Sequence, residues 1–351
     1  MPNVVFLKIN NVSKESVQET VRKAMKMGQW DKYIRGKIFI KINSLSDQLV
    51  PGQNSSPWVV EAILETVRKR YPKNEIFVGD ADLAADKQLN RAAKLWGNTD
   101  LAKKFGMEFV NLSEQPLVKV NFNGIAIKEV EVPQVLLDVD TILNVPIAKT
   151  HCLTTITCCL KNHWGLLPRF RHQFHLVANQ AIPDVNFFFK KTAFNLVDGT
   201  ICMEGNAPRT GIPKICNVIF AGPDRVAIDY TVARFMGFDA NKIKHIENAE
   251  KMDIGSRKNI KIIGDKFETN KFLPPKPGDQ PIFKYEMMFR KSPLKPVIFD
   301  TPIFRCMCKI ATFYNTKWWY GKKGKKYLRD ILNSEYSEEF MPIVKKCKIK
   351  V

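Results

Sequence analysis

Short apolar runs alternate with longer amphipathic stretches over the first 255 residues of the chain. Residues 4–9, 37–42 (KIFIKI), 75–78, 109–112 and 141–145 (TILNV) are compact and apolar or alternating, the pattern of strands. Residues 194–197, 217–221 and 260–263 repeat it later. Between them, residues 13–27 carry helical spacing behind Ser13, and 57–69 follow Ser56-Pro57, an N-cap with proline in the first turn. Residues 87–105 and 225–236 also read as helices, the second ended by Gly237. Residues 121–130 predict a hairpin around Asn123-Gly124. The run TTITCCL (154–160) reads as helical, and the glycine-rich VDGTICMEGNAPRTG (197–211) as a series of turns able to cradle an anion.

Strands separated by helices predict an α/β fold: a mostly parallel sheet with helices on both faces, in one body or two lobes. Ligands of such sheets bind beyond the carboxyl ends of the strands. Asn43, Asp80, Lys149 and Asp198 each stand just after a predicted strand, which groups them as candidates for one site. The α/β domain so read spans 1–265. A proline-rich linker (266–300, with FLPPKPGDQP at 272–281) follows, and then a basic, aromatic C-terminal extension (301–351).

Composition is ordinary for a globular protein, with 45% hydrophobic and 26% charged residues, but the formal charge of +20 is not. It predicts anionic partners: phosphorylated or carboxylated small molecules, a lipid surface or nucleic acid. Residues 301–351 alone hold 12 Lys/Arg against 4 Asp/Glu. There, Trp318-Trp319-Tyr320 precede Lys322, Lys323, Lys325 and Lys326. Rings beside lysines suit the headgroup layer of an anionic membrane or a single nucleic-acid strand; a solvated loop with its tryptophans packed inward is the plainer alternative. No recognised nucleic-acid module accompanies them, so nucleic acid ranks last. The first residues lack the apolar length of a signal peptide, and no window is long and apolar enough to span a bilayer. A cytoplasmic protein, peripheral on the membrane if the tail binds one, is the expectation. None of the eight cysteines forms a CxxC, so reduced thiols are expected rather than a structural zinc.

Candidate chemistry concentrates in residues 144–175, which hold four of the five histidines with Lys149, Lys161, Arg169 and Arg171. Lys149 and His151 follow a buried strand; a lysine there binds a phosphate or carboxylate, and a histidine moves protons. Lys161-Asn162 offers charge beside a donor–acceptor amide, or merely the C-terminus of a helix. His172-x-x-His175 has no convincing third metal ligand, and no metal site is assigned. Asp198 and Glu204 are separated carboxylates that could orient a histidine or hold a divalent cation. The GxxxxGK[ST] order of a Walker A loop is absent, and no GxGxxG follows a strand, the second of which weakens a nicotinamide-cofactor reading.

IFIKIN (38–43), VGDAD (78–82), DTILNVPIAKTH (140–151), TCCLKNHWGLLP (157–168), NLVDGTICMEGNAPRTG (195–211), GPDRVAIDYTVARFMGF (222–238) and MDIGS (252–256) occur in order. Together they resemble the bacterial and archaeal family called domain of unknown function 362, some of whose members carry ferredoxin-type iron–sulfur modules. The resemblance spans roughly residues 3–265 and implies an α/β domain with an anionic-ligand site. It points to Lys41, Asn43, Lys149, His151, Lys161 and Asn162. The chain lacks ferredoxin cysteine runs, which argues against an iron–sulfur cluster.

The expectation is therefore an enzyme acting on an anionic small molecule by proton or group transfer. Lys149, Lys161, His151 and His175 are the catalytic candidates. Lys41, Asn43, Asp80, Asn162, Arg169, Asp198 and Glu204 are expected to bind substrate. The alternative is a non-catalytic protein at a membrane surface that holds a lipid headgroup or a lipid-linked sugar.

Overall fold

The computed structural model describes residues 1–83 and 86–350. Its strands are β1 (Asn3–Lys8), β2 (Ile38–Lys41), β3 (Ile76–Asp80), β4 (Glu108–Asn111), β5 (Leu117–Asn121), β6 (Glu129–Pro133), β7 (Thr141–Asn144), β8 (Ile147–His151), β9 (Thr155–Thr157), β10 (Thr192–Glu204), β11 (Ile212–Gly222) and β12 (Lys261–Gly264). Ten of them form one mixed sheet with the path β12-β1-β11-β10-β7-β2-β3-β4, from which β8 and β9 branch beside β10. The run β10-β7-β2-β3-β4 is parallel throughout. β5 and β6 make the separate hairpin around Asn123 and Gly124.

Helices cover both faces, so the central strands are apolar on both sides and their sequences read as nearly unbroken runs. Alternate residues serve opposite cores: Phe39 and Ile142 face one, Ile38, Ile40 and Leu143 the other. Helices Lys14–Met27 and Pro57–Arg70 bury Val17, Val21, Val59, Ile63 and Val67 in the second core. Helices Ala178–Phe188 and Arg225–Phe235 bury Ile182, Val185, Val226 and Val232 in the first. The terminal signals act as the sequence predicts. Ser13 and Ser16 form a reciprocal capping box, Asp224 accepts from Val226 N and Ala227 N, and Gly237 takes a left-handed φ of 82°. The 87–105 helix is broken in two by Gly97.

Three local expectations are corrected. TTITCCL is not one helix: its β-branched Thr155–Thr157 form β9, and only Cys159–Asn162 coil. Residues 197–204 are not turns but the far half of β10, whose register slips between Gly199 and Ile201. A Cβ at Gly199 would stand 2.6 Å from Val218 O, so glycine here serves close strand packing rather than a turn. The segment 266–300 is not a plain linker, since it contains helices Pro281–Arg290 and Lys295–Phe299.

The basic tail is docked rather than trailing. Leu328, Ile331, Tyr336 and Phe340 enter the second core. Phe340 meets Trp96 edge-on at 5.9 Å, and Tyr336 Oη donates to Asn217 Oδ1 at 2.8 Å. Glu339 binds Ser56 Oγ and accepts from Trp58 N at 3.0 Å. Of the two adjacent tryptophans, Trp319 packs on Val50, Met203 and Ala207, while Trp318 is 46% exposed beneath Lys322 Nζ. Among the described residues no helix is long and apolar enough to cross a membrane.

Candidate active site

Parallel register brings the ends of β2, β3 and β7 level with Asn195, which lies early in β10. Lys41 stands beside Gly79 and Asn144, and Asn144 beside Asn195. Four polar side chains (Asn195, Asn144, Lys41 and Asp80) thus emerge in a row where ligands of parallel sheets bind. Each is buried, so each must find partners. Lys41 Nζ pairs with Asp80 Oδ1 at 2.6 Å and donates to Ile42 O at 2.8 Å. Asp80 also accepts from Ser44 N and Ala81 N. Gly165 leaves room for this pair, since a Cβ there would lie 2.5 Å from Asp80 Oδ1 and 2.8 Å from Lys41 Nζ.

The amides continue the row. Lys149 Nζ donates to Asn43 Oδ1 at 2.7 Å, Asn43 Nδ2 to Asn162 Oδ1 at 3.0 Å, Asn162 Nδ2 to Asn144 Oδ1 at 2.8 Å, and Asn144 Nδ2 to Asn195 Oδ1 at 2.9 Å. Asn195 Nδ2 ends on Gly222 O and Pro223 O. Lys149 Nζ has a second acceptor, Gln53 O, at 2.8 Å.

These groups floor a pit of about 90 Å³ lined by Lys41, Asn43, Asp80, Lys149, His151, Lys161, Asn162, Trp164 and Arg171. Four cations face one carboxylate, an anion-selecting balance. Burial dominates their acidity. Desolvation, reinforced by Lys161 and Lys41, brings Lys149 down to about 7 against the opposing pull of Asp80 and Asp198. Desolvation and then Arg171 bring Lys161 to about 7 as well. Lys41 is lowered by burial in spite of Asp80, and Arg171 is lowered to about 10. Lys149 is held by two carbonyl oxygens, whereas the Lys161 amine carries no hydrogen bond or ion pair among the described residues.

His151 lies on the β8–β9 hairpin, whose Thr155 adopts a φ of 65°, a costly conformation for a β-branched residue. Its Nδ1 accepts from Leu153 N at 3.0 Å. The neutral ring therefore carries its proton on Nε2, and burial with the surrounding cations drives its pKa well below the ordinary value. His151 is thus a neutral hydrogen-bond donor near pH 7, with no lone pair free to take a proton. Asp198 and Glu204 do not orient it. Asp198 is spent on Ser56 N and Thr200, Glu204 on Leu273 N and Lys214, and neither lines the pit. Both sit on β10, with their carboxylates turned to these partners. Among the described residues, Cys158, Cys159 and Asp229 are close enough for a metal. There Asp229 accepts from Cys159 N and Leu160 N, as a helix cap does, and burial pushes the Cys159 thiol up to about 12.

Above the pit, and sharing Lys161, His151, Trp164 and Arg171 with it, opens a vestibule of about 480 Å³. Arg169, His172, His175 and Arg209 stand on its inner side; Tyr285, Phe289, Phe299, Phe304, Met307 and Ala311 form the outer wall. His175 Nδ1 and Arg290 Nε both meet Glu286 Oε1 at 2.8 Å. Burial opposes ionisation of Glu286, but these two partners hold it near 2. His172 instead stacks on Phe304 at 4.5 Å and sets Nδ1 against Arg169 O, so His172 and His175 do not form a chelate. His163 is structural: buried, it binds Cys159 O and Thr192 Oγ1. Sequence reasoning missed Asn144, Asn195, Glu286 and the whole outer wall, and it passed over Arg171 for Arg169.

A family model described as "Domain of unknown function (DUF362)" matches residues 38–234, more than half of the chain. The chain is 26% identical over 125 residues to the thylakoid-associated protein sll1697 of Synechocystis, a match covering 34% of this chain and 39% of that protein. The match thus spans about two fifths of the length of this curated relative. Among solved structures, the lactate racemase apoprotein of Thermoanaerobacterium thermosaccharolyticum is 13% identical, with a TM-score of 0.38 over 70% of this chain and 56% of that one. A Thermotoga maritima protein is also 13% identical, with a TM-score of 0.36 over 60% of this chain and 56% of that one.

Proposed function

This chain belongs to the DUF362 family, and we propose that it is an enzyme in which Lys161 is the general base toward an anionic substrate. The observation that supports this reading is an amine with no partner among the described residues, desolvated to about 7, at the junction of a cationic pit and an open vestibule. A base whose pKa matches the working pH is half deprotonated and still accepts a proton with useful driving force. Lys41, Arg171 and the protonated form of Lys149 attract a carboxylate or phosphate and neutralise charge that develops on it. The Nε2–H of neutral His151 is suited to donate a hydrogen bond to an oxyanion. The roles are thus divided: lysine takes the proton and histidine stabilises what remains. The name of the Synechocystis relative, a thylakoid-associated protein, supports work at a membrane face.

The test is hydrogen exchange into a panel of carboxylate and phosphate metabolites in deuterium oxide, followed by proton NMR. Time-dependent loss of a C–H signal with the wild type, and none with Lys161→Met, is the expected result. Exchange that persists unchanged in Lys161→Met would remove Lys161 from the reaction.

A further inference from the structure

The vestibule is far more apolar than a site for phosphate or a small carboxylate needs. Its inner side presents Lys161, Arg169 and Arg171, while Tyr285, Phe289, Phe304, Ile310 and Ala311 stand opposite. Such a cavity, about 480 Å³, has the size of a ligand site, with cations at one end and hydrocarbon at the other. The wall does not end at the cavity. Tyr285 and Ile310 line it and are also 52% and 64% exposed, so its apolar lining runs out onto the surface. Ile303 and Phe313, on the same helix as Ile310, and Trp318 beyond it are exposed as well.

The same helices carry exposed Arg305, Lys309, Lys317, Lys322 and Lys323, and no acidic residue occurs between Thr301 and Arg329. Exposed aromatic and aliphatic side chains among lysines are the chemistry of a surface that lies on anionic lipid headgroups. We propose that the substrate is an amphiphilic anion drawn from an anionic bilayer, its head on Lys161 and Arg171 and its hydrocarbon chain against the wall of helices Pro281–Arg290 and Ile303–Phe313. This rests on the anionic-substrate reading above and names its substrate class. The helical cap is then both the chain-binding wall and the face that meets the membrane.

Calorimetric titration of the full chain with inorganic phosphate and with decyl phosphate below its micelle concentration tests the chain site. Decyl phosphate is expected to bind at least about 100-fold tighter, from burial of a few methylenes. Ala311→Trp, which fills the vestibule, is expected to erase that gain; Met307→Trp is a second filling variant should the first not fold. Equal affinities for the two ligands in the wild type would overturn the chain site while leaving the cationic site standing. If neither ligand binds, the anionic-substrate reading itself falls. Sedimentation with vesicles of phosphatidylglycerol, against phosphatidylcholine as control, tests the source. The wild type is expected to pellet only with the anionic vesicles, and Phe313→Glu with neither. Failure of the wild type to pellet with phosphatidylglycerol would overturn the bilayer as the source.

Discussion

Lysine 161 makes a thermodynamic prediction that needs no knowledge of the substrate. Its amine titrates near 7 in the folded protein, whereas an unfolded chain holds that proton up to about 10.4. Between these values the unfolded state binds more protons, so the stability contributed through this group rises with pH. It is at its floor below pH 7 and fully developed above the unfolded value. From pH 7 to pH 9 the full shift corresponds to about 2 kcal/mol, and water in the vestibule reduces this to roughly 1–2 kcal/mol. The perturbation is Lys161→Met, which removes the titration while keeping the stem. Urea unfolding of both proteins at pH 7 and pH 9 gives the change in their stability difference. Working with the difference cancels groups that Lys161 does not influence, notably Glu339. Burial raises Glu339 to about 8, so the stability it contributes falls as pH rises from the unfolded carboxylate value toward 8. The wild type should gain on the variant by the stated amount. A difference that stays flat over this window would show that Lys161 titrates as an ordinary lysine, and the proposed base would be lost.

Gly165→Ala places a methyl against the Lys41–Asp80 pair and should cost about 1–3 kcal/mol in urea unfolding and weaken phosphate binding, whereas an unchanged midpoint would deny the contact. Asn144→Leu leaves donor and acceptor groups of Asn162 and Asn195 without partners and should cost about 2–3 kcal/mol, measured the same way. Trp319→Ala should lower stability by about 3–5 kcal/mol and Trp318→Ala by less than about 0.5 kcal/mol in thermal unfolding, because only the first ring is buried. Glu339→Gln should be nearly neutral at pH 4, where the carboxyl is largely protonated both folded and unfolded, and should remove the loss of stability that accrues as pH rises from about 4.3 toward 8, read by urea unfolding across that range.

Much of the sheet was legible because strands buried on both faces have short apolar sequences that little else imitates, as in KIFIKI and TILNV. Asn43, Asp80 and Lys149 were reachable by one rule, that polar residues at the carboxyl ends of parallel strands belong to the site, and Lys41 through the family resemblance. The same rule misplaced Asp198, because Gly199 imitates a turn where the chain in fact continues as a bulged strand. Asn144 and Asn195 were hidden inside apolar runs, where an asparagine reads as a blemish until a facing asparagine is seen. The vestibule was out of reach altogether. Its outer wall is over 100 residues from His175, in a segment whose prolines and lysines read as linker, and periodicity says nothing about where such helices dock.

The row of asparagines behind Lys149 obeys something like the ice rules. Every amide points its oxygen toward the lysine and its nitrogen toward the backbone carbonyls of Gly222 and Pro223. One amide cannot turn alone: reversing it would set two donors face to face at one joint and two acceptors at the next. The orientation is therefore collective, fixed at one end by carbonyls that only accept and at the other by an amine that donates. Aligned dipoles reinforce one another, and their negative end lies on Lys149. The row therefore works as a fixed bias on that amine, favouring its charged form against desolvation.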